Sequence, residues 1–344
     1  MRDLSDLDLP RLRLGALPTP VEELPGLARA LGVGALWVKR DDLSGSLYGG
    51  NKVRKLEWLL ADAAARGRER LATVGGVGSN HVLATALYAR PLGLSLDAAV
   101  FLHPKSAASE RAVRVALSAG VRYHVARSAA SLPAAMVAAR AGRPAPLWIP
   151  AGGSSALGSL GYVDAALELA GQIAAGACPR PDAIVLPLGS GGTVAGLLIG
   201  LALAELDIPI LAVAVVHRLI TNRSATRRLA ARTAALLGRR GLVVPGGPRP
   251  LEVVHDAFGR GYAHPTPPGA QAILAAAASG LRLETTYTGK ALAALAARSG
   301  RFARATVLFW NTYSSVDLAP RAADPPAGPV PRRLARWLEA DLPG

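Results

Sequence analysis

Strand-length apolar runs alternate with alanine-rich helical segments through most of this chain, and several of the runs end in a glycine turn that opens the next helix. This pattern predicts parallel sheets covered by helices, because a helical crossover returns the chain to pair in the same direction. Candidate strands are Leu36–Lys39, Leu71–Val74, Leu96–Phe101, Arg122–Val125, Leu147–Ile149, Ile184–Leu188, Ile210–Val216 and Ala305–Phe309. Candidate helices are Lys52–Arg66, Asn80–Leu92, Glu110–Gly120, Gly158–Ala175, Thr193–Glu205, Asn222–Leu237, Pro268–Ser279 and Gly289–Arg298. A last helix, Arg332–Leu338, follows the proline-rich stretch 322–331. Open α/β sheets bind ligands beyond their strand C-termini, so the glycine turns are where chemistry is expected.

Composition narrows the class. A length of 344 residues with 51% hydrophobic content suits one large or two ordinary domains. The longest apolar stretch, Val194–Val216, is interrupted by Glu205, Asp207 and Pro209. It reads as a buried helix and strand, not as a membrane span. The single cysteine, Cys178, excludes an internal disulfide framework and fits a reducing compartment. Met1 to Gly15 carries charges of both signs and no apolar core, so a cytoplasmic location is expected. The net charge of +15 could serve nucleic acid, but aromatic residues make up only 5%. The dense arginine tract from His217 to Arg240 has periodic leucines and alanines, which predicts a solvated helix face. No metal-ligand spacing stands out.

Of 39 basic residues only five are lysines (Lys39, Lys52, Lys55, Lys105, Lys290), and two of them lie in Gly49-Gly50-Asn51-Lys52-Val53-Arg54-Lys55. An amine can lose its proton and attack a carbonyl, whereas a guanidinium effectively never does. The two glycines would let the backbone approach a flat ligand. The alternative is that a GC-rich genome replaced most lysines and a few survived.

Three further runs carry candidate chemistry. Ile184 to Thr193 is a strand that opens through Gly189-Ser190-Gly191-Gly192 into a helix, a backbone anion site without the lysine of a triphosphate loop or the spacing of a dinucleotide fold. A cradle for one phosphate, or a plain tight turn, remains. In Val74 to His81, Ser79 could cap a helix, or Ser79 and Asn80 could hold a carboxylate. His81 could move a proton or be a satisfied core histidine. In Leu283 to Lys290, Tyr287, like Tyr262 upstream, could donate a proton if a nearby cation lowered its pKa, or could merely pack. A reactive lysine, a phosphate cradle and a carboxylate turn together suit pyridoxal 5'-phosphate and amino acid substrates.

From about Pro18 to Ser315 the chain resembles the D-cysteine desulfhydrase and 1-aminocyclopropane-1-carboxylate deaminase family, of the tryptophan synthase β-like (fold type II) pyridoxal phosphate enzymes. The resemblance lies in Lys39-Arg40-Asp41-Asp42, Gly49 to Glu57, Ser79-Asn80-His81, Ile149 to Ser154, Gly158 to Tyr162, Gly189 to Thr193 and Tyr287-Thr288-Gly289-Lys290. It implies two three-layer αβα domains with mostly parallel twisted sheets. Residues 1–48 and 159–344 would form the large one and 49–158 a small one inserted in it. Lys52 would bond the cofactor aldehyde and move the Cα proton. Lys55 and Gly189, Ser190, Gly191, Gly192 and Thr193 would hold the phosphate, and Asn51 or Asn80 would meet the ring oxygen. Ser79, Asn80 and His81 would bind the substrate carboxylate, and Tyr262 and Tyr287 would line the reacting face.

Thr288 would lie beside the pyridine nitrogen, where the family's deaminases carry glutamate and its desulfhydrases threonine. A neutral hydroxyl favours expulsion of a good β-leaving group. The chain departs from the family at Val82-Leu83-Ala84 and at Asn311-Thr312-Tyr313-Ser314-Ser315, where a His-Thr-Gly-Gly turn is usual. The implied protein is a homodimeric lyase acting on a small amino acid, with neither membrane nor nucleic acid as partner. A cofactor-binding protein without turnover, or a basic scaffold that contacts nucleic acid, is the reading from another class.

Overall fold

The structure is a computed structural model that describes residues 4, 7–246 and 249–342. Its elements run β1 (Val21–Glu23), α1 (Pro25–Leu31), β2 (Ala35–Lys39), α2 (Asn51–Ala65), β3 (Arg70–Gly76), α3 (Asn80–Ala89), β4 (Ser95–Phe101), α4 (Ala107–Ser118), β5 (Arg122–Val125), α5 (Leu132–Arg140) and β6 (Leu147–Ile149). They continue with α6 (Ala156–Ala174), β7 (Ala183–Leu188), α7 (Gly192–Leu203), β8 (Ile210–Ala214), α8 (Arg223–Gly238), β9 (Leu251–Val254), α9 (Pro267–Ala277), α10 (Thr288–Ala296), α11 (Ser299–Phe302), β10 (Thr306–Trp310), α12 (Ala319–Ala322) and α13 (Arg332–Glu339).

Two compact units divide the chain. The first takes the described residues of 1–8, 15–55 and 155–315, and the second takes 9–14, 56–154 and the described residues of 316–344. Against the expected division, the first turn of α2 and residues 155–158 group with the larger unit, and residues 9–14 and the C-terminal segment group with the smaller. There Trp337 Nε1 donates to the His103 carbonyl and Lys105 Nζ to the Leu338 carbonyl, each at 2.9 Å.

The larger unit holds a six-stranded sheet of order β1-β2-β10-β7-β8-β9, parallel except for the antiparallel edge strand β1. Its strands β7 and β8 are buried on both faces, as a sheet covered by helices requires. On one face Leu36, Val38, Val185, Leu211, Val213, Val307 and Phe309 pack with α1, α9 and α10. The alternate residues turn the other way, and Trp310 meets the Tyr162 ring of α6 at 5.8 Å. Close helix packing behind that face depends on glycine: a Cβ at Gly196 would lie 2.3 Å from the Ser159 carbonyl oxygen, and one at Gly200 would lie 2.4 Å from that of Val163.

A buried polar network anchors the start of α2. Asp41 accepts from Arg54 Nε at 3.0 Å, Arg54 Nη2 at 2.8 Å, Tyr162 at 2.5 Å and Trp310 Nε1 at 2.8 Å. Glu168 accepts from Arg54 Nη1 at 2.9 Å and also takes the Lys39 ammonium. Burial alone would raise the Asp41 pKa, but the charge and hydrogen bonds of Arg54 hold it below its ordinary value.

The smaller unit holds a four-stranded, all-parallel sheet of order β5-β4-β3-β6. Ala135 and Ala139 of α5 pack on Ala99 of β4. Helix starts in both units carry caps: Ser106 and Ser109 form a capping box on α4, Ser155 caps α6, and Asn222 caps α8.

Every strand and helix expected from the sequence is present, with ends shifted by a few residues. Val194–Val216 resolves into α7 and β8, and the arginine tract forms α8, which buries Thr226, Ala230, Thr233 and Leu237. The unexpected elements, β1, α1, α5, β9, α11 and α12, are mostly too short to show a period. Among the described residues no helix is long and apolar enough to cross a membrane.

Candidate active site

Lys52 lies in the first turn of α2, and its Nζ donates to Asn51 Oδ1 at 2.6 Å. Asn51 Nδ2 donates in turn to Thr193 Oγ1 at 2.9 Å, so one amide links the amine to the glycine turn that opens α7. Burial pushes the Lys52 pKa down to about 8, against the opposing charge of Glu284. Lys55, one turn on and buried, is held well below its ordinary value by burial and by the Lys52 charge. Two amines with weakened proton affinity thus share one helix start.

The glycine turn follows the wholly buried β7. Gly191 stands before α7 at φ 89°, a left-handed conformation that glycine adopts without a Cβ clash. Gly192 and Thr193 are buried and Ser190 is exposed. Thr221 Oγ1 donates to the Gly189 carbonyl at 2.6 Å and fixes the turn from behind. The start of α7 therefore presents main-chain N–H groups and the Thr193 hydroxyl, the donors an anion needs.

A third element completes this cluster. Glu284 accepts from the backbone N–H of Thr286 and Tyr287 at 2.7 Å and of Thr288 at 2.9 Å. That carboxylate shapes the turn into α10 and sets Tyr287, whose ring is so near that a Cβ on Gly189 would lie 3.1 Å from it. The Tyr287 and Tyr262 hydroxyls are 2.8 Å apart. Thr288 is fully buried, and its Oγ1 accepts from the Glu284 N–H at 3.0 Å.

Two sequence readings differ from what the structure shows. One of the two readings of Tyr262 and Tyr287 had a nearby cation lowering their pKa values. Burial instead pushes Tyr262 up to about 12 and Tyr287 well above its ordinary value, so both hydroxyls keep their protons. Gly49 and Gly50 were expected to admit a ligand, yet a Cβ at Gly49 would lie 2.1 Å from the Asp42 carbonyl oxygen and one at Gly50 would lie 2.6 Å from that of Thr312. Their missing side chains make room for the chain's own backbone.

Ser79, Asn80 and His81 stand together at the start of α3, in the smaller unit. Ser79 Oγ accepts from the His81 N–H at 3.2 Å, which is the helix cap. His81 is 2% exposed and its Nε2 lies 3.0 Å from Thr73 Oγ1, so the geometry favours the satisfied histidine over a substrate contact by its ring. Asn80, the first residue of the helix, is half-buried.

Comparison with known proteins gives this arrangement a family. Residues 12–312 match the family model described as pyridoxal-phosphate dependent enzyme. The chain belongs to that family. A D-cysteine desulfhydrase of Salmonella choleraesuis is 36% identical over 296 residues, covering 83% of this chain and 87% of the relative. A solved structure titled as that of an ACC deaminase homologue is 35% identical, with a TM-score of 0.75, and the match covers 90% of this chain and 93% of that one. A fungal L-serine ammonia-lyase from Rhizomucor miehei, 21% identical with a TM-score of 0.60, shares the fold. It covers 90% of this chain and 97% of its own.

The residues present fit the family's pyridoxal phosphate. An amine of lowered proton affinity can bond an aldehyde, a glycine-bearing helix start can take a phosphate, and no side chain fills the turn at 189, 191 or 192. Sequence reading missed two contributors, Glu284 and Thr221. An acid just ahead of Thr-Thr-Tyr-Thr-Gly is a helix-start signal that could have exposed the first. Nothing local marks the second.

Proposed function

We propose that this chain is a lyase that removes a β-substituent from a small amino acid, D-cysteine most simply. In that reaction D-cysteine and water give pyruvate, ammonia and hydrogen sulfide. Thr288 supports the reading most directly: a buried neutral hydroxyl opens α10 where the deaminases of the resembled family carry glutamate. The nearby carboxylate of Glu284 is occupied by three backbone N–H groups. The two relatives of about one-third identity bear titles naming a desulfhydrase and an ACC deaminase homologue, which fits this choice of chemistry.

Bound pyridoxal phosphate would supply an electron sink for the carbanion left at Cα. Lys52 would hold the cofactor and, once freed by substrate, take the Cα proton on Nζ, and a pKa near 8 leaves part of that amine neutral at physiological pH. Asn51 would orient the amine, as it does by its 2.6 Å hydrogen bond. Lys55, Thr193 and the N–H groups of the 189–193 turn would hold the phosphate. Tyr287 and Tyr262, both protonated, would offer a proton to the departing group. Ser79 and Asn80 would take the substrate carboxylate. We also infer a homodimer working in the cytoplasm, from the family resemblance and from a single buried cysteine.

The test is a screen of D- and L-amino acids with cofactor-loaded protein, identifying the ketoacid released. Pyruvate and sulfide in equal amounts from D-cysteine are expected. Formation of 2-oxobutyrate from 1-aminocyclopropane-1-carboxylate, with D-cysteine inert, would make the protein a deaminase instead. Salt-sensitive DNA binding with no turnover would support a basic scaffold.

A further inference from the structure

Lys290 has no task in the chemistry above, yet it is fully buried, and burying an ammonium is costly unless its hydrogen bonds are met. From the first turn of α10 its Nζ donates to the carbonyls of Phe258 at 2.8 Å and Gly261 at 3.1 Å, and it stands 5.8 Å from the centre of the Phe258 ring. The turn so held bends through two glycines, Gly259 at φ 65° and Gly261 at φ 145°. The next residue is Tyr262.

Two opposite charges therefore frame the tyrosine pair. Glu284 holds the backbone that presents Tyr287, and Lys290 holds the backbone that presents Tyr262. Between them the hydroxyls meet at 2.8 Å, and the rings stand edge to face at 5.9 Å.

We propose that Lys290 is a positioning residue, whose grip on the 258–261 turn keeps the Tyr262 hydroxyl against Tyr287 at the reacting face. The proposal rests on the reading that those tyrosines serve the elimination. A turn with two left-handed glycines has many conformations open to it, and two carbonyls tied to one ammonium on a helix remove most of them. The ammonium also satisfies the Phe258 carbonyl, which an apolar side chain could not, while the Gly261 carbonyl accepts from the His264 N–H at 3.3 Å as well.

The test uses Lys290→Met alone and combined with Tyr262→Phe, with three readouts. The first is the fraction of cofactor trapped on Lys52 by borohydride. The second is kcat and KM for D-cysteine. The third is the ring-carbon NMR signals of Tyr262 and Tyr287 in cofactor-free protein, assigned with Tyr262→Phe and Tyr287→Phe. Lys290→Met is expected to trap cofactor as the parent does, to shift both tyrosine signals, and to lose about tenfold in kcat with KM changed less than about twofold. On the Tyr262→Phe background the same change should cost less than about twofold, because its route of action is already gone.

Equal losses on both backgrounds, or unmoved tyrosine signals, would overturn the proposal. Should Lys290→Met not fold, Lys290→Gln, which can still donate to one carbonyl, carries the same cycle with the same two outcomes. If the parent protein traps no cofactor or leaves D-cysteine untouched, the proposed function fails, and the tyrosine signals still judge Lys290 by themselves.

Discussion

Gly161 of α6 lies against Arg54 of α2 so closely that a Cβ on it would stand 2.1 Å from the Arg54 carbonyl oxygen and 2.4 Å from its carbonyl carbon. The helix that carries Lys52 and Lys55 is seated by that contact. Gly161→Ala must therefore push α2 away, and overpacking of this kind costs roughly 1–3 kcal/mol or more. Urea unfolding should show a lower midpoint, with cofactor affinity falling alongside it. A variant as stable as the parent would mean that α2 is held elsewhere.

The Arg54 side chain leads to the second prediction. Asp41 is fully buried and accepts from Arg54, Tyr162 and Trp310. Asp41→Asn leaves the Arg54 charge beside Glu168 alone and turns an amide toward several donors. Breaking one partner of a buried pair costs about 3–5 kcal/mol. Thermal unfolding of the cofactor-free protein measures this, and a loss below about 1 kcal/mol would contradict the network's role.

Gly189 gives a more selective lesion. A Cβ there would meet the Tyr287 ring at 3.1 Å, tighter than ordinary contact but against a side chain that can shift. Gly189→Ala should leave global stability within about 1 kcal/mol and lower kcat roughly tenfold by moving the ring. Equal turnover in the two proteins would show that the ring's position does not matter.

The lowered Lys52 pKa sets a pH dependence. Below pH 8 the amine is mostly protonated and cannot attack an aldehyde, so the rate of cofactor uptake by the apoprotein should climb with pH and level off above 8. Glu284 favours the ammonium, so Glu284→Gln should move the midpoint to lower pH. At this site the unfolded chain holds the proton up to its ordinary value of 10.5, while the folded one releases it near 8. The penalty on folding is therefore complete below pH 8 and disappears as pH rises through 10.5. Stopped-flow uptake between pH 6 and 10 reads the first effect, and a flat profile would contradict it.

The alternation of apolar strand and helix made both sheets legible, because buried parallel strands are continuous apolar runs and their helices carry a clear period. Lys52, Asn51, Thr193, Tyr262 and Tyr287 were legible as parts of runs, and the structure joins them through hydrogen bonds of Asn51 and contacts of Gly189. What the runs concealed was direction. Gly49 and Gly50 face backbone and not ligand, His81 points into its own unit, and Glu284 and Lys290 act on turns 2 to 32 residues away. Such relations depend on tertiary neighbours that no local pattern encodes. The edge strands β1 and β9 stayed hidden because Glu22 and Glu23 in one and Glu252 in the other interrupt the apolar run that marked β6 at similar length.

The most direct test loads the purified protein with pyridoxal phosphate, reduces it with borohydride and maps the modified peptide by mass. The account predicts one phosphopyridoxyl group, on Lys52, and none in Lys52→Ala. A label on Lys55 or Lys290, or no label on a folded protein, would contradict it.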